Sequence, residues 1–244
     1  MFKKEIHIPN EINDIVTAMT QEFVISSISE SGTTSTITTP SVRIFDNLSE
    51  IILLTTGMVI TINSKNYIVS NIVLLVGSAT FDITATGLTA TKWNVAASFK
   101  FGSRKEINQA LQEETNNDSK FKRFPLIWLF TPIEKDYDNT AIDFEAQIIL
   151  SLAYKSNKTD RAQIRLDGNI KIILQPLLRL FLAYCKSSDF NYMFEFEGYG
   201  KPINYESQDF YFYGTSDKTK EVLNTSTDAI EITFNLKFKK QFDY

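Results

Sequence analysis

AIDFEAQIILSLAY, residues 141–154, is the stretch that decides the fold class. Apolar side chains occupy alternate positions from Ile142 to Tyr154. Polar residues lie between them at Asp143, Glu145, Gln147 and Ser151. Successive side chains of a β-strand point to opposite faces, so the pattern predicts a long strand with one buried and one solvated face.

Further strands and two helical regions surround this stretch. FPLIWLFT, residues 124–131, has the composition of a buried strand, and residues 229–239 alternate as cleanly as 141–154. Shorter strands are predicted at 191–196 and 209–213. The opening helix carries one apolar stripe, formed by Ile12, Ile15, Val16, Met19 and Phe23. A later helical region is predicted over 159–186, as a short helix near 160–167 followed by a kinked or restarted helix to about 185. Gly168 and Pro176 both disturb the run, and a proline inside a helix removes a donor and clashes with the preceding turn.

Residues 24–101 differ in composition: they are rich in Thr, Ser, Val and Ile and show no helical periodicity. Strands are predicted at 51–55, 58–62, 67–73, 80–85 and 95–101. Asn63 to Asn66 predict a hairpin turn, because asparagine tolerates left-handed backbone. Several short strands without a helix favour a small closed barrel or sandwich, since closure removes sheet edges. Ser103 and Glu106 then form a capping box that begins another helix.

The predicted fold is therefore α+β: a mixed sheet with packed helices, interrupted by a small β-barrel-like insertion. The predicted division of the chain is a core of 1–23 and 102–244 and an insertion of 24–101.

Composition excludes several functional classes. The chain has 244 residues with one cysteine, Cys185, and one histidine, His7, so an internal disulfide and most histidine-based catalysis are excluded. A net charge of −4 disfavours a general nucleic-acid binder. Neither a secretory signal nor a membrane span is expected, because the opening residues lack an apolar run and 170–184 is short and interrupted.

Two clusters of charged residues have a composition that is compatible with binding or chemistry. Four carboxylates lie within ten residues, at Asp136, Asp138, Asp143 and Glu145, without the glycine of a calcium loop. A solvated acidic face is the preferred interpretation. Basic and aromatic residues interleave over 99–124, a pattern that can contact nucleic acid but that alternating strand residues also produce. We expect no catalytic residue, no metal site and no cofactor.

The order of elements resembles that of the tail-terminator proteins of tailed bacteriophages and their neck-ring relatives. The matching stretches are EINDIVTAMTQEF, FPLIWLFTPIEKDY, IDFEAQIILSLAY, ILQPLLRLFLAYC and IEITFNLKF. The insertion and the long C-terminal region exceed the simple terminator fold. In this they are similar to the enlarged ring proteins of crAss-like phages.

This resemblance implies a structural virion protein without enzymatic activity, assembled in the cytoplasm of the bacterial host. Such a protein forms a six-fold or twelve-fold ring that joins the portal to the tail. The implied partners are further copies of the chain, the portal or adjacent neck ring proteins, and tail tube or tail hub proteins. DNA is implied only as passing cargo, and no membrane is involved.

The interface is expected on polar loops that carry aromatic residues. The candidate loops are 132–140, 198–207 and 214–228, and the candidate anchors are Tyr137, Tyr199 and Tyr205. A different class of protein stays open as the alternative: a carbohydrate-binding β-protein whose aromatic cluster over 205–213 stacks on sugars.

Overall fold

The computed structural model describes residues 7–40, 54, 56–75, 77–103, 106, 124–131, 133–137, 143–156, 161–185, 208–213 and 227–239. The helices are α1 Ile8–Met19, α2 Ala162–Arg165, a π-helix Leu166–Leu174 and α3 Gln175–Cys185. The strands are β1 Glu22–Val24, β2 Ser27–Ser31, β3 Thr34–Pro40, β4 Val59–Ile62, β5 Lys65–Ile68, β6 Ser70–Leu75, β7 Ser78–Thr84, β8 Lys92–Val95, β9 Ser98–Gly102, β10 Leu126–Phe130, β11 Glu134–Tyr137, β12 Asp143–Lys155, β13 Gln208–Tyr213 and β14 Thr227–Lys239.

A six-stranded sheet holds the long strands together. Its order is β13, β14, β12, β10 and β9, and β11 also pairs with β12. β12 and β14 are antiparallel along their whole length, from Asp143 opposite Lys239 to Lys155 opposite Thr227. β9 pairs with β10 in parallel, and the remaining neighbours are antiparallel. The strands predicted at 124–131, 141–154, 209–213 and 229–239 are therefore confirmed, whereas 191–196 lies outside the described residues.

The two faces of β12 differ from the expectation at one residue. Ala146, Ile148, Leu150 and Leu152 are buried, which confirms the apolar face. Ser151, however, is fully buried rather than solvated, because it lies opposite Trp128 of β10. β10 is buried along its whole length, so the sheet is covered on both faces at this point.

Helices cover one face of the six-stranded sheet. α1 packs against α3, and both contribute buried apolar side chains to the same core as β10, β12 and β14. α1 ends at Met19, and Phe23 lies in β1, so the predicted helical stripe is one member too long. Thr20, which follows the last helical residue, turns its hydroxyl back onto the carbonyl of Val16 at 3.0 Å.

The helical region 162–185 changes type at Arg165 and again at Gln175, one residue before Pro176, and does not break at either place. α2, the π-helix and α3 follow without a gap, and Gln175 still donates its N–H to the carbonyl of Ile170, five residues earlier. Pro176 is the second residue of α3, where it takes the place of a donor that a new α-helical turn does not use. The helical hydrogen-bond pattern thus restarts although the chain continues.

Residues 22–95 build two further sheets, and the expected closed barrel is wrong. Their strand orders are β1-β8-β4-β5 and β2-β3-β7-β6, and in each the two outer strands lack a second strand partner among the described residues. The sheets face one another: Trp93 of β8 contacts Phe81 of β7 edge-on at 5.5 Å and donates its indole N–H to Thr39 of β3 at 3.2 Å. Two packed sheets bury the apolar side chains without closure.

Several predicted strands have different boundaries. β2 and β3 have no predicted counterpart, and of the strand predicted at 51–55 only Leu54 is described, outside any strand. The stretch 67–73 is divided at Val69 between β5 and β6, which belong to different sheets. The stretch 95–101 is likewise divided, because β9 pairs with β10 of the six-stranded sheet. The division of the chain into a core and an insertion of 24–101 stays a prediction.

Two local motifs are confirmed. Asn63 and Ser64 have φ values of 49° and 64° and connect β4 to β5 as a two-residue hairpin. The Glu106 carboxylate accepts the N–H of Ser103 at 2.7 Å, and the Ser103 hydroxyl faces the N–H of Glu106 at 3.4 Å. The Ser103 hydroxyl, 2.7 Å from the same carboxylate, and the Ser103 N–H both donate to Glu106 and hold its pKa below the ordinary value. The helix expected to follow lies outside the described residues.

The two-sheet unit touches the helical layer through the outer face of β4. Val59 and Ala96 pack on Ile173 of the π-helix, with Tyr154 beside them. Gly57, at φ +90°, lies directly against Ile172. A β-carbon at Gly57 would stand 2.7 Å from the Ile172 carbonyl oxygen, so only glycine fits this approach.

A Glu30→Gln substitution is expected to flatten the acid side of the stability profile. The carboxylate of Glu30 accepts the Leu88 N–H at 2.8 Å. Backbone donation from Leu88 and Gly87, helped by the Ser35 hydroxyl, holds the pKa of Glu30 below its ordinary 4.5. A lowered folded-state pKa stabilises the fold above the unfolded pKa, and this stabilisation is lost as the pH falls through the folded value.

Urea unfolding of wild type and Glu30→Gln between about pH 6 and pH 3 measures this effect. The slope of unfolding free energy against pH should be shallower in the variant below about pH 4.5. A Ser35→Ala control, which removes only the weakest of these contacts, should change the slope less. Identical slopes in wild type and Glu30→Gln would contradict the assignment.

Candidate assembly surface

The structure places Tyr137, one of the three expected anchors, at the end of a strand. Residues 134–137 form β11 within the stretch expected to be a loop, so that part of the loop prediction is wrong. Tyr137 is opposite Phe144 in the antiparallel pairing of β11 with β12. Tyr199, Tyr205 and the loop 198–207 lie outside the described residues. Of the three tyrosines, only Tyr137 lies within the described ranges.

The loop expected at 214–228 ends two residues earlier than predicted. Thr227 and Asp228 belong to β14, and both are buried. The other residues of this loop, 214–226, lie outside the described ranges. A deletion designed to test this loop must stop at residue 226, since removing Asp228 would damage the sheet.

Asp228 is the centre of a buried polar cluster under the π-helix. Its carboxylate accepts the side-chain amide of Asn169 at 2.7 Å and lies 3.5 Å from the guanidinium of Arg165. The Asn169 amide also approaches the carbonyl of Lys155 at 3.3 Å. A buried charge needs a partner of this kind, because an uncompensated one is strongly destabilising. The cluster fixes the π-helix to the ends of β12 and β14.

Apolar side chains are exposed on edge strands of all three sheets. Val24 and Ile68 lie on β1 and β5, the two edges of one sheet, and Phe101 lies on β9. The largest group is on β6, where three consecutive residues are more than half exposed: Val73, Leu74 and Leu75. Single exposed apolar residues are ordinary, but contiguous ones at an unpaired edge mark a contact site.

Sequence reasoning missed β6 although one signal was present. Residues 67–81 contain no charged side chain. The predicted strand 67–73 overlaps β6 but ends before Leu74 and Leu75, and nothing in the prediction identified an edge. The absence of any charged residue is the mark of an edge without protection against pairing.

An open hollow of about 610 Å³ lies at one end of the two-sheet unit. Its lining is neutral: Ile25, Ser26, Ser27, Ile28, Asn63, Thr89, Ala90 and Thr91. The Asn63 amide donates to the carbonyl of Thr89 at 2.8 Å, which holds the β4–β5 hairpin against the hollow. Hydroxyl and amide groups of this kind bind neutral polar ligands, but none of the described lining residues has an aromatic ring to stack on a sugar.

The one cysteine and the one histidine of the sequence lie in different environments. Cys185 is buried at the end of α3, and burial in apolar surroundings makes a thiol unreactive. His7 is exposed at the start of α1. Within the described ranges, no three His, Cys, Asp or Glu side chains come close enough together to hold a metal ion.

None of the helices in the described part of the chain has both the length and the apolar character needed to cross a membrane. No protein-family model, no curated protein and no solved structure matches this chain.

Proposed function

We propose that this protein is a structural subunit of a tailed-bacteriophage virion that forms a ring in the neck or tail and joins the portal to the tail. It acts by contact and not by catalysis. Its partners are further copies of itself, portal or adjacent neck ring proteins, and tail tube or tail hub proteins.

The observation that carries this proposal is the placement of exposed apolar side chains on edge strands. β1, β5, β6 and β9 each present at least one, at Val24, Ile68, Val73 to Leu75 and Phe101. An enzyme or a small-ligand binder gathers its functional groups in one concave site. A ring subunit instead needs several contact areas, for like subunits at its sides and for other proteins above and below.

The order of elements adds support. α1, β10, β12, α3 and β14 correspond to the five stretches on which the resemblance to tail-terminator proteins rests. These elements share one core, in which the helices cover one face of the six-stranded sheet.

Negative-stain electron microscopy of the purified chain, combined with its mass in solution, tests the proposal. We expect closed rings of uniform six-fold or twelve-fold symmetry, either alone or after mixing with the portal. Antibody labelling of virions should then place the chain at the head–tail junction. The proposal would be refuted if the chain formed no ring, either alone or with the portal, and was missing from virions.

The neutral hollow is the candidate glycan site for the alternative function, a carbohydrate-binding protein. A lectin would bind a glycan as a single chain, with the hydroxyls of Ser26, Ser27 and Thr91 available at the hollow. Glycan-array binding by a monomer, lost in an Asn63→Ala variant, would favour this alternative. Ring formation without glycan binding would exclude it.

A further inference from the structure

β6 is an edge strand that exposes apolar side chains on both of its faces. It ends the sheet β2-β3-β7-β6, so one side of its backbone has no strand partner among the described residues. Leu74 lies opposite Ala79, whose side chain points into the core, while Val73 lies opposite the outward Thr80. Val73, Leu74 and Leu75 are 53%, 58% and 51% exposed. Both faces of this edge are therefore apolar and open to solvent.

The other described edge strands carry charged residues that oppose pairing with another chain. These residues are Glu22 on β1, Glu30 on β2, Lys65 on β5, Lys100 on β9, Glu134 on β11 and Asp209 on β13. Charged side chains on an edge are the usual protection against edge-to-edge association. β6, with the sequence SNIVLL, has neither a charge nor a proline.

The irregular end of β6 limits which residues can pair. A bulge separates Ser70 from Val73, and Asn71 has a φ of 46°. The Asn71 side-chain amide is bound to the Asp82 carboxylate at 3.0 Å. Regular pairing with β7 resumes from Val73 to Leu75. The apolar half of β6 is thus regular backbone, ready to accept a further strand.

We propose that β6 pairs antiparallel with β6 of a second copy of this chain across a two-fold axis. The pairing doubles the four-stranded sheet and places Val73 and Leu75 of the two copies together on one face and their Leu74 side chains together on the other. Backbone hydrogen bonds supply the geometry, and removal of the apolar side chains from water supplies the driving force.

The chemistry of the available edges selects β6 itself as the partner. An uncharged apolar edge is best satisfied by another of the same kind, and β6 alone has this character among the described edge strands. The opposite edge of the same sheet, β2, would place the charged Glu30 beside the apolar side chains of β6 on one face and serine hydroxyls beside them on the other. Such a head-to-tail contact would bury a carboxylate against leucine, which is unfavourable.

This inference goes beyond the proposed function. A two-fold contact does not close a cyclic ring by itself; it joins two free copies or two rings face to face. It concerns the isolated chain, so it can fail while ring formation in the presence of the portal succeeds, and it can hold in a protein that never forms a ring.

A matched pair of lysine substitutions tests the contact. Val73→Lys places a charge on β6, and Val24→Lys makes the same change at a residue of similar exposure, 58%, on β1. Sedimentation equilibrium of the full chain should show wild-type dimers at about 100 μM. Val73→Lys should raise the dimer dissociation constant at least about ten-fold, because like charges then face each other across the axis. Val24→Lys should leave it unchanged.

Monomeric wild type at that concentration would overturn the proposal, as would equal weakening by both substitutions. Circular dichroism shows whether each variant retains the wild-type fold. Both sites are more than half exposed, so folding should persist.

Disulfide trapping distinguishes the two-fold pairing from a head-to-tail contact. In a Cys185→Ala background, single cysteines are placed in turn at Val73, Leu74 and Leu75. One position nearest the axis should form a disulfide-linked dimer under mild oxidation, because its two copies lie within the short Cα separation that a disulfide needs. A cysteine at Ile68 on β5 is the matched control and should remain monomeric. Larger oligomers without a linked dimer at any β6 position would overturn the two-fold arrangement.

Discussion

Replacing Trp93 by alanine is expected to lower the free energy of unfolding by about 3–5 kcal/mol. The indole is 1% exposed and joins the two smaller sheets. Its ring centroid lies 4.6 Å from that of Phe23 in its own sheet and 5.5 Å from that of Phe81 in the facing one. The alanine variant leaves a cavity between the sheets that rigid strands cannot collapse to fill.

The hydrogen bond of Trp93 is measured separately by a phenylalanine variant. The indole N–H donates to the Thr39 hydroxyl, which in turn donates to the carbonyl of Val24 at 2.8 Å. Trp93→Phe removes the donor but keeps most of the ring, and we expect it to cost about 1–2 kcal/mol. Denaturant unfolding of both variants tests the difference. Equal losses in the two variants would show that the hydrogen bond, and not packing, dominates at this position.

A Gly57→Ala substitution is expected to cost about 2–4 kcal/mol, through crowding and backbone strain together. The new methyl group would stand 1.8 Å from Cγ2 of Ile172 and 2.7 Å from its carbonyl oxygen, so the strand β4 and the π-helix must separate. The φ of +90° adds strain for any residue with a β-carbon. Thermal or urea unfolding measures the loss.

Gly77→Ala is the matched control for this crowding. Gly77 has a φ of +75° but no atom within 4 Å of its virtual β-carbon, so only strain of about 1 kcal/mol is expected. The double variant Gly57→Ala with Ile172→Ala should recover only part of the loss, because the carbonyl oxygen stays in place. Full recovery would mean that the side chain of Ile172 alone, and not the backbone approach, requires glycine at this position.

The α+β class was predictable from sequence because it depends on local periodicity. β12 and β14 alternate so regularly that their strand character and buried face follow from residue order alone. β2 and β3 were not predicted, because their sequences SISES and TSTITTP contain few apolar residues. Ile37 of β3 is nevertheless fully buried. Serine and threonine there satisfy strand geometry without providing an apolar alternation.

Sheet membership was not predictable from the same pattern. The chain passes from β5 to β6 through Val69 without a turn signal such as glycine or proline, yet the two strands belong to different sheets. A closed barrel and two open sheets demand the same alternation within each strand. The difference lies in which distant strands pair, and the residue pattern within a single strand does not show this.

The contact surface was hidden for a related reason. Leu74 and Leu75 have the same composition as a central strand, and only the strand order makes β6 an edge. Conversely, the tyrosine-bearing segments were predicted to be interface loops because they are polar. The segment around Tyr137 proved to be a strand because β12 extends far enough to pair with it.

The packing of α1 against α3 has a consequence for the time course of synthesis. α1 is synthesised well before its partner α3, which begins only at Gln175. At about 5–20 residues per second, α1 waits roughly ten seconds or longer for the apolar face of α3. β1 through β8 have all been synthesised in that interval and can pair among themselves. α1 and α3 therefore pack together only after the strands that lie between them in the sequence have been made.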